Sequence, residues 1–202
     1  MHYYEVVPLA ETQIETAAHL LAQALANDPL FAYALPDEAE RASRLPAFLA
    51  RNLFYGLLYG QAFTTAGNVL GAAVWLPPGA DVTPERAASA GYNQLSSILG
   101  REALLKIGQA LDHLNDVHHR AFAPDHWYLT VVGVDPARQK QGIGRALVQA
   151  GVAQAAAAGL PCYLDTAAPD NLPFYEQLGF RVLVDSPIPD TNLHFWTMAL
   201  DP

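Results

Sequence analysis

Residues 127–145 read WYLTVVGVDPARQKQGIGR and join a strand, a glycine-containing loop and the start of a helix. The β-branched apolar run ends at Asp135-Pro136, and a basic loop follows it. Gly142 and Gly144 allow the backbone to approach a ligand closely, because glycine has no side chain. The first N–H groups of a helix have no partner inside the helix and point outward. This order of parts therefore predicts a cradle for an anion such as phosphate.

The composition predicts one folded domain over residues 1–202. Hydrophobic residues make up 51% of the chain and charged residues 15%, so a sizeable core can form. The formal net charge of -9 argues against general binding to nucleic acid or to an anionic membrane. The N-terminal residues do not resemble a secretory signal, and no run approaches the roughly 18 apolar residues of a membrane span. We therefore expect a cytoplasmic protein.

Hydrophobic periodicity predicts the element order β-α-α-β-β-α-β-α-β-α-β-β. The expected strands are 3–8, 61–65, 69–76, 127–134, 161–166, 180–184 and 193–200. The expected helices are 11–26, 38–58, 83–122, 141–158 and 171–178, with a break or a first turn at Pro46 and interruptions near Gly91 and Gly100. Alternating strands and helices in the second half predict parallel pairing there, whereas the hairpin signal at 66–68 predicts antiparallel pairing. The sheet should therefore be mixed, with helices on its faces.

The cradle has two alternative interpretations. Residues 139–144 fit [RQ]-x-x-G-x-[GA], a pattern that is weak by itself. A dinucleotide site requires G-x-G-x-x-G/A directly after a strand, but the third position is Leu147 and several residues separate the strand from Gly142. Asp165 ends the next strand, where an acid that binds ribose would lie, so this alternative stays open. A P-loop requires Gly-Lys-Ser/Thr, which the chain lacks.

Three segments together resemble the Gcn5-related N-acetyltransferase (GNAT) superfamily. They are WYLTVVGVDPARQKQGIG, YLDTAAPDN and LPFYEQLGF. Over about 127–199 the chain is also similar to puromycin N-acetyltransferase and its relatives. The resemblance implies an α/β (α+β) GNAT fold, with a central mixed, mostly antiparallel sheet of about seven strands flanked by helices. It implies a single N-acetyltransferase domain over 1–202, with its cofactor-binding core at about 127–180.

The resemblance also implies acetyl-CoA as co-substrate and no metal. Backbone N–H groups of the cradle would hold the pyrophosphate, the strand would pair with the pantetheine arm, and an N–H near Val132 would polarise the thioester carbonyl. Lys140 stands where these proteins commonly have glycine. The implied cofactor-binding residues are Val132, Val134, Gln139, Lys140, Gln141, Gly142, Ile143, Gly144, Arg145, Asn171 and Tyr175.

Two of these residues have a structural alternative beside the functional one. Tyr175 matches the tyrosine that protonates the departing sulfur in this family, but it could instead be an amphipathic core residue of a short helix. Asn171 matches the asparagine that contacts the pantetheine arm, and it could also be a helix N-cap.

The catalytic base has no clear match in the sequence. Many GNAT enzymes carry a glutamate on the strand before the cradle, where this chain has Leu-Thr-Val at 129–131. Asp165 is the best substitute, because adjacent parallel strands separate near it; the alternative is a strand-end carboxylate that caps Ala167 or Ala168. Further candidate bases are His118, His119 and His126. The irregular spacing of these histidines argues against a metal site.

The leading hypothesis is transfer of an acetyl group from acetyl-CoA to the primary amine of a small molecule, by direct attack of the amine. Cys162 lies in an apolar strand and is expected to pack in the core, which argues against a covalent acetyl-cysteine. The alternatives are a protein or peptide N-acetyltransferase and a non-catalytic acyl-CoA-binding sensor. The expected partners are acetyl-CoA and a small amine, without nucleic acid or membrane, and a homodimer is compatible with them.

Overall fold

The computed structural model describes residues 4–122 and 125–202, with the His119 side chain also outside the described part. The expected start of the first strand at residue 3 lies outside it as well. The strands are β1 Val6–Pro8, β2 Gln61–Thr65, β3 Gly71–Leu76, β4 Trp127–Val134, β5 Cys162–Thr166, β6 Arg181–Pro187 and β7 His194–Leu200. The helices are α1 Ile14–Ala24, α2 Pro29–Ala34, α3 Glu38–Tyr59, α4 Pro84–Ser89, α5 Leu95–Leu99, α6 Arg101–Ala121, α7 Ile143–Ala158 and α8 Leu172–Glu176.

Side-chain caps and glycines set several helix boundaries. Asp28, Asp37 and Thr83 accept hydrogen bonds from backbone N–H groups at the starts of α2, α3 and α4. Gly91 and Gly100 have positive φ, and α4, α5 and α6 are separate helices as the glycine positions predict. The expected break near Pro46 is wrong, because α3 continues through this residue. The helix keeps its buried face of Leu45, Leu49 and Leu53 despite the lost hydrogen bond.

The seven strands form one mixed sheet in the order β1-β2-β3-β4-β5-β7-β6. β4 and β5 are parallel, and every other neighbouring pair is antiparallel. The predicted mixed, mostly antiparallel seven-stranded sheet flanked by helices is therefore confirmed. This topology argues against the dinucleotide alternative, which requires a doubly wound parallel sheet.

Helices cover both faces of the sheet and pack closely on its middle strands. On one face lies α1, and a Cβ atom added to Gly133 of β4 would come within 2.7 Å of Leu21 Cδ2. On the other face lies α7, and a Cβ atom at Gly151 would come within 2.2 Å of the indole of Trp75 in β3. α6 packs through Ala110 and Leu114 into a separate apolar cluster with side chains from the β6–β7 end. β4 is thus held between α1 and α7, with its carboxyl end left for the site.

Candidate acyl-transfer site

The site begins where β4 and β5 separate. Their last parallel pair is Leu129 with Leu164, whereas β4 continues to Val134 alongside β3 alone. A β-bulge in β4 lies at the same point. Trp75 pairs with Leu129 and Val74 pairs with Val131, which leaves Thr130 as the extra residue. Residues 131–134 are only partly buried although three of them are valines. The β5-facing edge of β4 therefore offers main-chain groups to an extended ligand.

The predicted cradle directly follows this strand. The Asp135 carboxylate accepts the N–H of Ala137 at 2.9 Å and turns the chain through a short 3₁₀ helix. Lys140 and Gly142 both have positive φ, at 60° and 96°. Gly142 is the N-cap of α7 and makes no side-chain hydrogen bond, so the first N–H groups of this helix have no capping side chain. An open helix N-terminus with an adjoining left-handed turn fits the phosphate groups of a coenzyme.

The predicted cofactor side chains mostly surround this open helix end. Gln139, Lys140 and Gln141 are exposed, and the Arg145 guanidinium lies 3.4 Å from the Gln177 carbonyl oxygen. Ile143 differs from them, because its side chain is buried in the core and leaves only its backbone for a ligand. Val132, Val134 and Gly144 extend the surface along the end of β4 and the start of α7.

Asn171 makes a hydrogen bond that neither sequence interpretation anticipated. Its amide Nδ2 donates to Thr166 Oγ1 at 3.0 Å, which ties it to the end of β5. Asn171 occupies the N-cap position of α8, as the structural alternative expected, but its side chain makes no capping hydrogen bond there. The amide lies on the exposed surface beside the strand separation.

Tyr175 is a buried residue of α8 next to the strand separation. Its ring packs edge-on against Phe174 and Phe180, with centroids 5.0 Å and 6.0 Å away. Burial raises the pKa of the Tyr175 hydroxyl well above its usual value, and the negative charge of Asp28 raises it further. The phenol therefore keeps its proton at neutral pH and can act as an acid.

Asp165 is the centre of a buried hydrogen-bond cluster. It is the first residue of β5 beyond the last pair with β4, and its side chain is 4% exposed. Oδ2 accepts the Tyr128 hydroxyl at 2.7 Å and lies 2.6 Å from His118 Nε2, while Oδ1 accepts the Thr197 hydroxyl at 2.5 Å. Asp165 does not cap the following turn, because Thr166 Oγ1 accepts the N–H of Ala168 at 3.2 Å.

Aromatic rings fix the histidine side of this cluster. His118 of α6 stacks on Phe122, with centroids 4.3 Å apart, and meets Tyr128 edge-on at 5.0 Å. His126 packs edge-on against Phe122, with ring centroids 5.2 Å apart. No group of three or more His, Cys, Asp or Glu residues within 4–122 and 125–202 could hold a metal ion.

Asp28 is a candidate site residue that no sequence pattern indicated. The first expected helix ends at residue 26, and Asp28 starts the next helix, α2, by accepting the N–H of Leu30 at 3.0 Å. Burial raises the pKa of its carboxyl group, although hydrogen bonds from the backbone oppose this shift. An aspartate followed by proline is typical of a helix start, which could have indicated the cap. Its nearness to Tyr175 has no signal in the linear sequence.

A buried arginine holds the segment that carries Asp28. Arg41 is 6% exposed, and its guanidinium donates to Ala26 O at 2.6 Å and Leu35 O at 2.5 Å. These carbonyls lie just before and just after α2. Arg41 therefore fixes both ends of the short helix that Asp28 caps.

Cys162 has the environment of a core residue. It is 2% exposed in β5, and burial raises the pKa of its thiol to about 12. The thiol therefore stays protonated and is a poor nucleophile at neutral pH.

Among the described helices, none has the length and apolar character that a membrane span requires.

Sequence and structure comparisons give a consistent result. Residues 107–180 match the Acetyltransferase (GNAT) family. An uncharacterized N-acetyltransferase of Schizosaccharomyces pombe is 27% identical over 170 residues, which cover 81% of this chain and 69% of the relative.

Two solved structures share the fold over nearly the whole chain. One is described as histone acetyltransferase HPA2 and related acetyltransferase from Corynebacterium glutamicum, with a TM-score of 0.69, 23% identity, and coverage of 100% of this chain and 97% of that one. The other is arylalkylamine N-acetyltransferase 2 from Aedes aegypti, with a TM-score of 0.68, 14% identity and 99% coverage of both chains. Residues 107–180 are thus similar to the GNAT family, and the chain shares its fold with solved acetyltransferase structures.

Proposed function

We propose that the protein transfers an acetyl group from acetyl-CoA to the primary amine of a small molecule, by direct attack of the amine. We also propose that residues 1–202 act as one N-acetyltransferase domain. The observation that carries this proposal is the unpaired edge of β4 beyond Leu129, which leads to the uncapped start of α7. The edge of β4 would accept the amide-bearing pantetheine arm, and the start of α7 would accept the phosphates. The two parts follow each other in the same order in coenzyme A.

The residues for cofactor binding divide into backbone and side-chain groups. Main-chain groups at Val132 and Val134 would pair with the pantetheine arm, and N–H groups over 139–145 would hold the pyrophosphate. Lys140 and Arg145 would add positive charge beside the phosphates, and Asn171 would contribute its amide. Acetyl-CoA, when bound, supplies an acetyl group activated as a thioester.

Tyr175 and Asp165 are the proposed groups for proton transfer. Because its pKa is raised, Tyr175 has a proton to give to the departing sulfur. Asp165 lies where the strands separate, on the side from which an amine would enter. Its small exposure and its three hydrogen bonds argue that it acts through a neighbouring residue and does not touch the amine itself.

A small cationic amine is the acceptor that the site supports best. The negative charge of the partly buried Asp28 carboxylate raises the pKa of Tyr175, so a negative group lies close to the proposed acid. An ammonium group would find a charge partner there before it loses its proton. The similarity to an arylalkylamine N-acetyltransferase agrees with this class. The closer resemblance to puromycin N-acetyltransferase stays a prediction, as does a homodimer.

Turnover with a panel of amines tests the proposal directly. The protein is incubated with acetyl-CoA and small primary amines, and free thiol is followed. Release of coenzyme A with at least one amine supports the proposed function, and acetylation of peptides alone would favour the protein N-acetyltransferase. Binding of acetyl-CoA without turnover of any amine or peptide would favour the sensor.

The cradle itself is tested by two matched glycine substitutions. Gly142 and Gly159 flank the two ends of α7, both have positive φ, and a Cβ atom at either position would meet nothing within 4 Å. Each Gly→Ala change should therefore cost a similar strain of about 1 kcal/mol. Only Gly142→Ala should weaken acetyl-CoA binding, measured by calorimetry. Equal affinities of the two variants would argue against the cradle.

A further inference from the structure

We propose that His118 is the base that takes the proton from the acceptor amine, and that Asp165 is the residue that positions it. The inference rests on the proposed function. It assigns the role of the base, which a glutamate on the strand before the cradle fills in many GNAT enzymes and which has no such residue in this chain. It follows from the contacts of four side chains on α6, β4, β5 and β7.

Asp165 is poorly suited to meet an amine itself. Its carboxylate is 4% exposed, and both oxygens already lie at hydrogen-bonding distance from protein groups. A carboxylate whose two oxygens are both engaged in this way has little surface left to contact an amine. Asp165 can instead orient a neighbouring group and stabilise a positive charge on it, as a buried aspartate does for a catalytic histidine.

His118 is the neighbour with a free basic nitrogen. Its Nε2 lies 2.6 Å from Asp165 Oδ2, so we assign the Nε2 proton to this hydrogen bond. The neutral ring then carries its lone pair on Nδ1, for which no hydrogen bond is found among the residues that the structure describes. The side chain is 17% exposed, which is more than Asp165 and enough for a small amine to reach it. Stacking on Phe122 and the edge contact with Tyr128 hold the ring plane.

The location of the pair matches the entry side of the proposed site. Asp165 follows the last β4–β5 pair directly, so the imidazole lies at the point where the two strands separate. The polar and charged groups around this imidazole come from several elements. They are Asp165 on β5, the Tyr128 hydroxyl on β4, and His126, which shares the Phe122 ring with His118. Burial and the charge of Asp165 raise the pKa of Tyr128 far above its usual value, so Tyr128 stays a neutral donor.

The proton balance of the step is complete with these groups. The acceptor ammonium loses one proton to His118 Nδ1, and from there this proton passes to solvent. The neutral nitrogen forms a bond to the acetyl carbon, and the carbon–sulfur bond breaks. The sulfur leaves with the proton of the Tyr175 hydroxyl, and the second nitrogen proton, released as the amide forms, restores Tyr175. The net products are an amide, free coenzyme A and one proton.

The test compares three variants of the full-length protein. His118→Gln removes the base, Asp165→Asn keeps the shape of the positioning side chain, and His113→Gln is the control. His113 lies on the same helix but bonds Ser186 Oγ at 2.6 Å, away from the strand separation. We expect kcat to fall by about 10²-fold or more in His118→Gln. It should fall by roughly 10-fold or more in Asp165→Asn and stay unchanged in the control. Acetyl-CoA affinity should be the same in all four proteins.

A further readout separates a base from a structural residue. Imidazole added to a His118→Ala variant should restore part of the lost rate. Wild-type turnover with unchanged kcat in His118→Gln would overturn the inference and leave the proposed function intact. Absence of turnover in the wild type with every amine would overturn both.

Discussion

A tyrosine can protonate a leaving thiolate only if it still carries its proton when the thiolate forms. Burial secures this for Tyr175, because an anionic phenolate would lose its hydration inside the protein. The charge of Asp28 adds to the effect, and both causes act in the same direction. Tyr175 therefore stays protonated up to and beyond the ordinary tyrosine pKa of about 10.

Replacing Tyr175 by Phe should lower kcat about 10²-fold and leave acetyl-CoA affinity nearly unchanged, because only the acidic proton is removed. The control is Tyr92→Phe, since burial also raises the pKa of Tyr92 and its hydroxyl donates to Asn52. Initial rates of thiol release and calorimetric binding measure the two quantities. In the wild type, deprotonation of Tyr175 should not lower kcat at any pH below about 10. A full rate in Tyr175→Phe would exclude it as the acid.

The two roles of Asp28 can be separated by two substitutions. Asn is as good an N-cap as Asp, so Asp28→Asn should change the free energy of unfolding by less than about 0.5 kcal/mol. Asp28→Ala loses the hydrogen bond from Leu30 N–H and should cost about 1 kcal/mol. Both variants lack the negative charge, and both should raise KM for a cationic amine by roughly 10-fold. Urea unfolding and steady-state kinetics give the values; unchanged KM in both variants would remove Asp28 from the acceptor site.

At the scale of elements, the contact between α7 and β3 depends on the absence of a side chain. Gly151 faces the indole of Trp75, which is fully buried, and a Cβ atom would come within 2.2 Å of it. Since the indole lies in a packed core, it cannot move aside without a cost. The same helix carries the uncapped N-terminus, so its distance from the sheet also sets the position of the cradle.

Gly151→Ala should lower the free energy of unfolding by roughly 1–3 kcal/mol and weaken acetyl-CoA binding, because α7 must shift away from the sheet. The control is Gly108→Ala in α6, where an added Cβ atom would meet nothing within 4 Å. That change should raise the free energy of unfolding by about 0.5–1 kcal/mol, since alanine favours the helix. Urea unfolding compares the variants. If Gly151→Ala and Gly108→Ala both changed the free energy of unfolding by a small amount in the same direction, the contact of Gly151 with Trp75 would not be tight.

The order of strands and helices along the second half of the chain was predictable, because each element has a local pattern. The run at 127–134, the glycines before α7 and the alternation toward β5 are visible in the sequence. Pro46 misled us, because local backbone chemistry predicts a break while the buried leucine face of α3 overrides it. The pairing of His118 with Asp165, and the nearness of Asp28 to Tyr175, join residues far apart in the chain. Such contacts depend on how the elements pack, which periodicity does not encode.

At the scale of the whole molecule, Cys162 is a probe of global opening. It is the chain's one cysteine and lies in β5, between β4 and β7. Burial raises the pKa of its thiol to about 12, so at pH 6–9 the thiol is both covered and protonated. Release of this thiol requires the middle of the sheet to open.

We expect Cys162 to react with Ellman's reagent at least about 10³-fold more slowly in the native protein than in concentrated guanidinium chloride. The native rate should rise with denaturant in step with global unfolding, because β5 lies inside the sheet between β4 and β7. A time course of absorbance at several denaturant concentrations measures this. Fast labelling at a rate independent of denaturant would show that β5 opens locally.

The free edge of β4 also has a consequence for mutational tolerance. Under the proposed function, residues 131–134 present peptide groups to the coenzyme, and every amino acid other than proline carries the same N–H and C=O. Selection on Val131, Val132 and Val134 would then act on backbone conformation and on the exclusion of proline, and their apolar side chains would be interchangeable. Gly133 is the exception, because a side chain there would meet Leu21 of α1. A site made of backbone groups can therefore be retained in proteins of very different sequence, because it depends on the path of the chain and not on the side chains.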